Sequence, residues 1–137
     1  MGYRVVEAHW TDRLTDNRYA NAHPNAQYLV VQLAVVNLDK KARMIPPFHL
    51  IDERVAEYDA SSHSVYLKDA LGALDNLNPE VAKLGSIVFD VRTDHTYKLK
   101  LSGGYRSRDE AYVELRPEAP EPDYIKRLDE EWNSKKP

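Results

Sequence analysis

Two segments in which apolar side chains recur at every second position constrain the fold of this chain more than any other feature. In the first, residues 28–42 (YLVVQLAVVNLDKKA), Val31, Leu33 and Val35 fall on one side of an extended backbone. Because side chains alternate between the two faces of a β-strand, this face is wholly aliphatic and belongs in a core. The opposite face, where Gln32 stands among alanine and valine, is only weakly polar. It predicts partial cover by a loop, a helix or a second chain.

The second segment covers residues 77–91 (LNPEVAKLGSIVFDV) and begins with a turn signal. Pro79 cannot lie in the interior of a strand, because proline lacks the amide hydrogen that the ladder uses. Beyond it, one face carries the residues predicted to enter the core: Gly85, Ile87, Phe89 and Val91. The other face carries Ser86, Val88 and Asp90. A slip of one residue would bury Asp90 and expose Phe89, so the pattern fixes the register.

Shorter segments complete the predicted strands, which are residues 3–10, 48–52, 57–58, 97–101 and 111–115. The first of them places Val6, Ala8 and Trp10 on one face. Residues 11–27 are polar and rich in Asn and Asp, which predicts a long loop. About seven short strands separated by turn residues are typical of a β-sandwich.

One segment changes to a helical period. Between Ser64 and Leu74, the apolar residues recur at the spacing of one helical face: Leu67, Ala70, Leu71 and Leu74. Serine is also a residue type favoured at helix N-caps, which suits Ser64. The sequence therefore predicts one short connecting helix.

The C-terminal residues depart from the strand pattern. Residues 117–122 (PEAPEP) predict a stiff, extended linker, so the domain is predicted to cover residues 1–116. Residues 123–137 predict a helical tail with an apolar stripe: Tyr124, Ile125, Leu128 and Trp132. A helix this short is marginal in water, so we expect it to dock on its own domain or on a second copy. The alternative is a frayed tail.

Length and charge narrow the class of protein. The chain has 137 residues and a net charge of −3, from 19 basic and 22 acidic side chains. This length suffices for one domain with its own core, and the mixed charge gives no basic stripe for nucleic acid. The absence of cysteine excludes disulfides and zinc–thiolate sites. No apolar run approaches the roughly 20 residues of a membrane helix. No signal peptide is visible, which fits a natural start or a chain whose leader or lipid anchor was removed.

The order of the motifs resembles the DUF4352 family of bacterial domains, which are telokin-like and immunoglobulin-like. The matching segments are VVQLAVVN (30–37), FHLIDERVAEYDAS (48–61), LNPE (77–80) and GSIVFDV (85–91). The resemblance implies an all-β, immunoglobulin-like antiparallel β-sandwich of about seven strands, with one short connecting helix and a C-terminal helical tail. Glu80 stands where the family usually has glycine, which leaves the turn type open. Members are typically exported or lipid-anchored, and the family supplies no shared catalytic residues.

Groups that could carry chemistry are scattered along the chain. The five histidines lack the spacing of a metal motif: His9, His23, His49, His63 and His95. His23, His63 and His95 are expected to be solvated loop residues. A metal site formed by histidines that the fold brings together remains an alternative. The segment 61–64 (SSHS) does not suit a catalytic triad, because neighbouring residues do not point at one another. Paired carboxylates such as Asp52-Glu53 are expected to be solvated.

Two loops combine aromatic and basic residues, which is the composition of many binding surfaces and also of ordinary loops. These residues are Arg18, Tyr19 and His23, and Tyr105, Arg106 and Arg108. From the sequence we assign no catalytic residue, no metal ligand and no cofactor, and the binding residues stay unknown.

These observations favour a non-enzymatic binding or protein-interaction module of the bacterial cell envelope. It is expected in the periplasm or on the cell surface, with a protein or envelope component as partner and no nucleic acid. Self-association through the C-terminal helix is a further option. The alternative is an exported protein that binds a small molecule or a metal through loop residues, and a hydrolase with a convergent site ranks third. A pocket lined by at least three convergent polar side chains would favour these alternatives, and a flat, apolar exposed face would favour the module.

Overall fold

The computed structural model describes residues 1–12, 14, 24–67, 69–71, 75–103 and 109–117. These residues form a 3₁₀ helix and nine strands, which are β1 (Gly2–Thr11), β2 (Gln27–Val36), β3 (Arg43–Met44), β4 (His49–Asp52), β5 (Glu57–Asp59), β6 (Asn76–Leu77), β7 (Ala82–Val91), β8 (Tyr97–Ser102) and β9 (Glu110–Leu115). The predicted helical tail (123–137) lies outside the described residues, as does the predicted linker (117–122) beyond Pro117.

The long strands form two antiparallel sheets that share one core. One sheet has the order β1-β2-β7 and the other has the order β5-β4-β8-β9, while β3 and β6 pair in a small separate ladder. The core draws side chains from both sheets, including Leu29, Leu33, Ile87 and Phe89 from the first and Leu50, Leu99, Leu101 and Leu115 from the second. The prediction of an all-β chain is confirmed, and the arrangement is consistent with a β-sandwich.

The two segments that carried the sequence argument form the centre of the first sheet. Strands β2 and β7 pair along their whole length, with Leu29 opposite Phe89. The predicted inner residues Val31, Leu33 and Val35 have no exposed surface, and neither does Phe89. Both inner faces are therefore confirmed.

The weakly polar face of β2 is covered at one end, as predicted. There Tyr28 and Val30 form a second buried cluster with Val88 of β7. Two residues from the flanking loops, Leu14 and Leu67, pack against this cluster. The outer face of the first sheet is thus partly a second, smaller core.

Strand β1 has a different inner face from the predicted one. Its register against β2 shifts between Val5 and Glu7, which is the signature of a β-bulge. The extra residue turns Val6 outward, where 52% of its surface is exposed, while Val5, Ala8 and Trp10 pack against the core. The prediction that Val6 shares a face with Ala8 and Trp10 is wrong, because a strict period of two does not anticipate a bulge.

The predicted helix between residues 64 and 74 does not form in the described part of that segment. A 3₁₀ helix covers Ser62–Tyr66, and its N-cap is Ser61 rather than Ser64. The Ser61 hydroxyl accepts a hydrogen bond from the amide of His63 at 3.1 Å. The helix ends at once, because Leu67 is extended, with φ −81° and ψ 139°.

The chain after the 3₁₀ helix lies along the free edge of β7. Leu71 donates its amide to the carbonyl of Ser86, and Ser86 donates to the carbonyl of Asp69, both at 2.8 Å. These bonds give hydrogen-bond partners to backbone groups on the open edge of β7. A helix could not supply them, because its own amides and carbonyls bond to one another. The approach is so close that a Cβ on Gly85 would stand 2.8 Å from the Asp69 carbonyl oxygen. The edge contact therefore requires glycine at position 85.

The turn before β7 keeps a conformation that favours glycine, although it contains none. Pro79 and Glu80 are its central residues, and the amide of Val81 donates to the carbonyl of Asn78 at 3.1 Å. Glu80 has a φ of 64°. Proline followed by a residue with positive φ defines a type II turn, in which glycine is the preferred second central residue. The turn is therefore of type II, which the sequence had not determined.

We expect Glu80→Gly to raise the free energy of unfolding by about 0.5–1 kcal/mol. The left-handed conformation costs a residue with a Cβ about 1–2 kcal/mol, and part of this gain is lost because glycine is freer in the unfolded chain. Urea titration measures the difference. The matched control is Ala82→Gly in β7, which should lower stability by about 0.5–1 kcal/mol. A loss at position 80 equal to the control would contradict the turn assignment.

Candidate functional site

The loop between β4 and β5 positions a buried carboxylate, Asp52. The amide of Asp52 donates to the carbonyl of Ala56 at 3.1 Å, and its carbonyl accepts from the amide of Val55 at 3.0 Å. Val55 has a φ of 66°, which is rare for a β-branched residue. The Asp52 side chain supports this conformation, because Oδ1 accepts from the amides of Arg54 at 2.8 Å and Ala56 at 3.0 Å.

The second carboxylate oxygen of Asp52 is equally occupied. Oδ2 accepts from the Tyr58 hydroxyl at 2.7 Å and from the Arg54 guanidinium, at 2.8 Å for Nη2 and 3.1 Å for Nε. The Asp52 side chain is fully buried. Burial by itself raises the pKa of Asp52, but these donors and the backbone amides outweigh it and hold that pKa far below its ordinary value. The prediction that Asp52 is solvated is wrong.

Glu53 connects this loop to the turn between β7 and β8. Its Oε1 lies 2.7 Å from Nδ1 of His95, and its Oε2 accepts from the amide of Thr96 at 3.2 Å. The hydrogen bond with His95 lowers the pKa of Glu53. Within the same turn, Nη2 of Arg92 lies 2.6 Å from Oδ2 of Asp94. These contacts fasten two loops at one end of the molecule.

Tyr97, the first residue of β8, holds the same end from the core side. Its hydroxyl donates to the carbonyl of Arg92 at 2.6 Å. Its ring meets the rings of Tyr58 and Trp10 edge-on, with centroids 5.7 and 6.2 Å away. Burial raises the pKa of Tyr97 to about 12, so the hydroxyl stays protonated and remains a donor at physiological pH.

We call Asp52, Glu53, Arg54, Tyr58 and His95 the Asp52 network. Three of its members could hold a cation, since ligand atoms of Asp52, Glu53 and His95 all lie within 4.8 Å of one another. However, both oxygens of Asp52 and both oxygens of Glu53 already accept hydrogen bonds, several of them from backbone amides. A cation would have to compete with these donors for the carboxylate oxygens, and Arg54 already balances the charge of Asp52. The geometry is that of a structural hydrogen-bond network.

We therefore expect divalent metal ions to leave the stability of the protein unchanged. Thermal melts with a chelator and with stoichiometric zinc should coincide, because a cation would have to compete with the hydrogen-bond donors already on the carboxylates of Asp52 and Glu53. Circular dichroism measures the two melting temperatures. A rise of several degrees with zinc that disappears in His95→Gln would contradict this expectation and assign a metal site.

An open cavity of about 550 Å³ lies on the outer face of the four-stranded sheet, beside the Asp52 network. Its apolar surface comes from Ile51, Val55 and the ring of Tyr112, and its polar rim includes Glu53, Thr96 and Lys98. Val55 is 76% exposed and Tyr112 is 49% exposed. The cavity therefore presents apolar surface directly to solvent.

Lys98 is a cation of this cavity that has no counter-ion among the described residues. Its cross-strand neighbours are Ile51 on β4 and Glu114 on β9. Glu114 pairs with Arg116 instead, at 3.3 Å. The next lysine on the strand, Lys100, lies 3.5 Å from a glutamate oxygen. The cavity thus combines apolar surface with a lysine that forms no ion pair among the described residues, beside the carboxylate of Glu53.

The histidines singled out in the sequence are dispersed over the fold. His9 and His49 lie on β1 and β4, each within 3.1 Å of a carboxylate oxygen. His63 bonds a buried tyrosine hydroxyl at 2.7 Å, and His95 belongs to the Asp52 network. The prediction of solvated loop histidines is therefore wrong for these two. Outside the described residues lie His23 and the remaining members of the two loop clusters: Arg18, Tyr19, Tyr105, Arg106 and Arg108.

The two sheets, their common core and the strand order define the class of this protein, an all-β domain of antiparallel strands. The chain belongs to the family described as Domain of unknown function (DUF4352), whose model matches residues 2–111. The family predicted from the sequence is thus confirmed. No helix among the described residues has the length and apolar character needed to cross a membrane.

The chain also resembles a solved structure described as "X-ray structure of Northeast Structural Genomics Consortium target SoR45". The two are 11% identical, with a TM-score of 0.38, and the match covers 83% of this chain and 82% of the other. No curated protein matches the chain.

Sequence reasoning did not single out the cavity, although two of its residues carry a signal. The alternation in YKLKL turns Lys98 outward, and the alternation in EAYVEL turns Tyr112 outward. An outward aromatic residue on a strand otherwise rich in charge marks a surface worth testing. The sequence does not reveal that β4 and β9 flank β8, which brings Ile51 and Tyr112 to either side of Lys98.

Proposed function

We propose that this chain is a non-enzymatic binding or protein-interaction module that works outside the cytoplasm, in the bacterial cell envelope. The observation that carries the proposal is the exposed apolar surface that Val55 and Tyr112 present at the cavity on the four-stranded sheet, whereas the polar side chains of that cavity favour the second function described below. The family membership supports the envelope location, because members of this family are typically exported.

The proposal includes an immunoglobulin-like type of sandwich. In the usual strand letters, β1-β2-β7 corresponds to A-B-E and β5-β4-β8-β9 corresponds to C′-C-F-G, which is an immunoglobulin-like division of strands. Tyr97 supports it as well. It begins the strand equivalent to F and bonds back to the carbonyl of Arg92, which is the geometry of the tyrosine corner of such domains.

The cavity suits binding better than catalysis. The ionisable groups next to it, Asp52 and Glu53, are occupied by hydrogen bonds that hold the loop in place. A volume of about 550 Å³ falls within the roughly 300–1,000 Å³ of most ligand sites. Exposed tyrosine next to aliphatic surface is also a frequent composition at protein interfaces.

The first experiment asks whether a partner depends on this cavity. The full chain is immobilised and exposed to envelope extract of the source bacterium, in parallel with Tyr112→Ser and Lys98→Ser. We expect an envelope protein that the unsubstituted chain retains and that both variants lose. The matched control is Leu84→Ser on the opposite sheet, where Leu84 is 57% exposed. Retention that is insensitive to both cavity variants would overturn the proposal.

The location needs its own experiment. The gene product, expressed from its genomic start, is fused at its C-terminus to alkaline phosphatase, which is active only after export. We expect phosphatase activity in intact cells. An inactive fusion that accumulates as full-length protein in the cytoplasm would refute the envelope location, whatever the binding experiment shows.

A second function, binding of a small molecule, is favoured by the same cavity because Lys98 could pair with a ligand carboxylate above apolar surface. Small aromatic and aliphatic carboxylates are titrated into the isotope-labelled chain and followed by NMR. Saturable shifts at Lys98 and Tyr112 that disappear in Lys98→Ser would support this function. Shifts that do not saturate, or that spread evenly over the chain, would exclude it for the ligands tested.

A further inference from the structure

A second, smaller cavity of about 220 Å³ lies on the outer face of the three-stranded sheet. Strands β1, β2 and β7 all contribute outward-facing side chains to it, and the chain that lies along the free edge of β7 forms one wall. Six polar side chains line it: Glu7, His9, Thr11, Gln32, Asp69 and Ser86. None of these residues lines the cavity on the four-stranded sheet. Such a convergence of polar groups favours a site for a small molecule.

The strand register places two carboxylates on opposite walls of this second cavity. Glu7 lies opposite Gln32, and Gln32 lies opposite Ser86, so the three side chains form one row across the sheet. Asp69 ends the row, because its Oδ2 accepts from the hydroxyl of Ser86 at 2.8 Å. Since Glu7 and Ser86 are two strand spacings apart, the row is about 10 Å long. A negative charge therefore stands at each end, with the amide of Gln32 between them.

Both carboxylates keep an oxygen to which no described residue donates. Glu7 has one contact, between Oε1 and Nδ1 of His9 at 3.1 Å, and the side chain of Asp69 accepts only from the serine hydroxyl. No lysine or arginine is among the described residues that line the cavity. Arg4, in the neighbouring row of the same face, does not line it either. Two hydrogen-bond acceptors with negative charge are thus available to a cationic ligand.

The space between the charged ends is short and partly apolar. Val30 lies beside Gln32 on β2, and Leu14 and Leu67 reach the cavity from the flanking loops. A water molecule takes up about 30 Å³ of liquid, so a cavity of about 220 Å³ holds about seven non-hydrogen atoms. Two charged hydrogen bonds of about 2.8 Å leave about 4–5 Å of the row, which a chain of about three or four methylene groups spans.

We propose that the second cavity binds a short aliphatic diamine, with one ammonium group on Glu7 and the other on Asp69. The methylene chain crosses Val30 between them, and the amide oxygen of Gln32 is a third acceptor. A metal ion does not suit this arrangement, because the ligand atoms of these residues do not converge within 4.8 Å as those of the Asp52 network do. The site is separate from the surface proposed for a protein partner, so neither proposal depends on the other.

Titration of diaminobutane into the isotope-labelled full chain, followed by NMR, tests the proposal. We expect saturable shifts of the amide resonances of Gln32, Asp69 and Ser86. Butylamine, which has one ammonium group, should bind about twofold to fivefold more weakly, the range for one exposed ion pair. Butanediol, which has the same length and no charge, should cause no shift. The titration is run at about pH 8, where histidine side chains are neutral, so that His9 adds no positive charge to the cavity.

Two conservative variants test the role of each carboxylate. Glu7→Gln and Asp69→Asn keep an oxygen for the existing hydrogen bonds to His9 and Ser86 but remove the charge. Each should weaken the binding of diaminobutane about twofold to fivefold and should bring its affinity down to that of butylamine. The matched control is Glu80→Gln in the turn before β7, which removes one charge outside the cavity and should leave both affinities unchanged.

Four outcomes would overturn the proposal. The first is equal affinity of the unsubstituted chain for diaminobutane and butylamine, a result that requires no variant to fold. The second is a set of shifts that do not saturate or that spread evenly over the chain. The third is a set of shifts centred on Val55 and Lys98, which would place the amine in the other cavity. The fourth is an affinity for diaminobutane that neither Glu7→Gln nor Asp69→Asn changes, although circular dichroism shows both variants folded.

Discussion

Replacing Phe89 with alanine should lower the free energy of unfolding by about 3–5 kcal/mol. The phenyl ring is fully buried at the centre of β7, in the core that the two sheets share. Its removal forfeits the transfer of the ring out of water and leaves a cavity that two paired sheets cannot close. This loss is a large share of the roughly 5–15 kcal/mol that stabilises a typical domain. Denaturant titration measures this loss in the free energy of unfolding, with the same m-value for both chains.

The matched control is the neighbouring residue on the opposite face, Asp90→Ala. The carboxylate of Asp90 accepts hydrogen bonds from the amides of Asn25 and Ala26, at 2.7 and 2.8 Å. Asp90→Ala should therefore cost about 1–2 kcal/mol through lost hydrogen bonds, which is still less than Phe89→Ala. If Asp90→Ala proves the more damaging, the assignment of inner and outer faces on β7 is wrong.

Replacing Asp52 with asparagine should lower the melting temperature by several degrees at neutral pH. Asparagine keeps the size of the side chain but replaces one of the two acceptor oxygens by an NH2 donor and removes the negative charge. The NH2 group would face either the amides of Arg54 and Ala56 or the Tyr58 hydroxyl and the Arg54 guanidinium, so one of these two sets of hydrogen bonds would be lost. The matched control is Asp75→Asn, which breaks a single exposed ion pair with Lys83 and should have little effect.

The same substitution should remove part of the pH dependence of stability. The pKa of Asp52 is lowered in the folded protein, so its contribution is fully present above the unfolded value of 3.8. That contribution is lost as the pH falls from this value toward the lower folded pKa. The gap in melting temperature between the unsubstituted chain and Asp52→Asn should therefore be constant above about pH 5 and should shrink below about pH 4. A gap that widens on acidification would contradict the low pKa.

The Asp52 network also holds in place a loop that lines the cavity. The network holds the loop that carries Val55 at the rim, and Tyr58 packs against Tyr97 below it. A variant that loosens the loop should therefore weaken binding at the cavity as well as stability. This is why the binding experiments use Tyr112→Ser and Lys98→Ser, whose side chains take no part in the network.

The sequence by itself determined the family, the all-β class and the interior of the sandwich. These features follow from local alternation along β2 and β7, because each strand carries its own inner and outer face in consecutive residues. The position of the turn before β7 could also be predicted from the sequence alone, because Pro79 marks it locally. The inward residues Val31, Leu33 and Phe89 were therefore identifiable before any tertiary contact was known.

Only the tertiary structure decided the features that depend on distant segments. The bulge that turns Val6 outward is set by the register against β2. The helix predicted between residues 64 and 74 does not form in the described part of that segment, because the chain there pairs with the open edge of β7. Asp52 is buried because Tyr58 and Arg54 converge on it. Residue spacing in the sequence does not predict these contacts. The cavity exists because strand order places β4 and β9 on either side of β8. A single charge at Lys98 becomes a candidate binding group only once its neighbours on both strands are known.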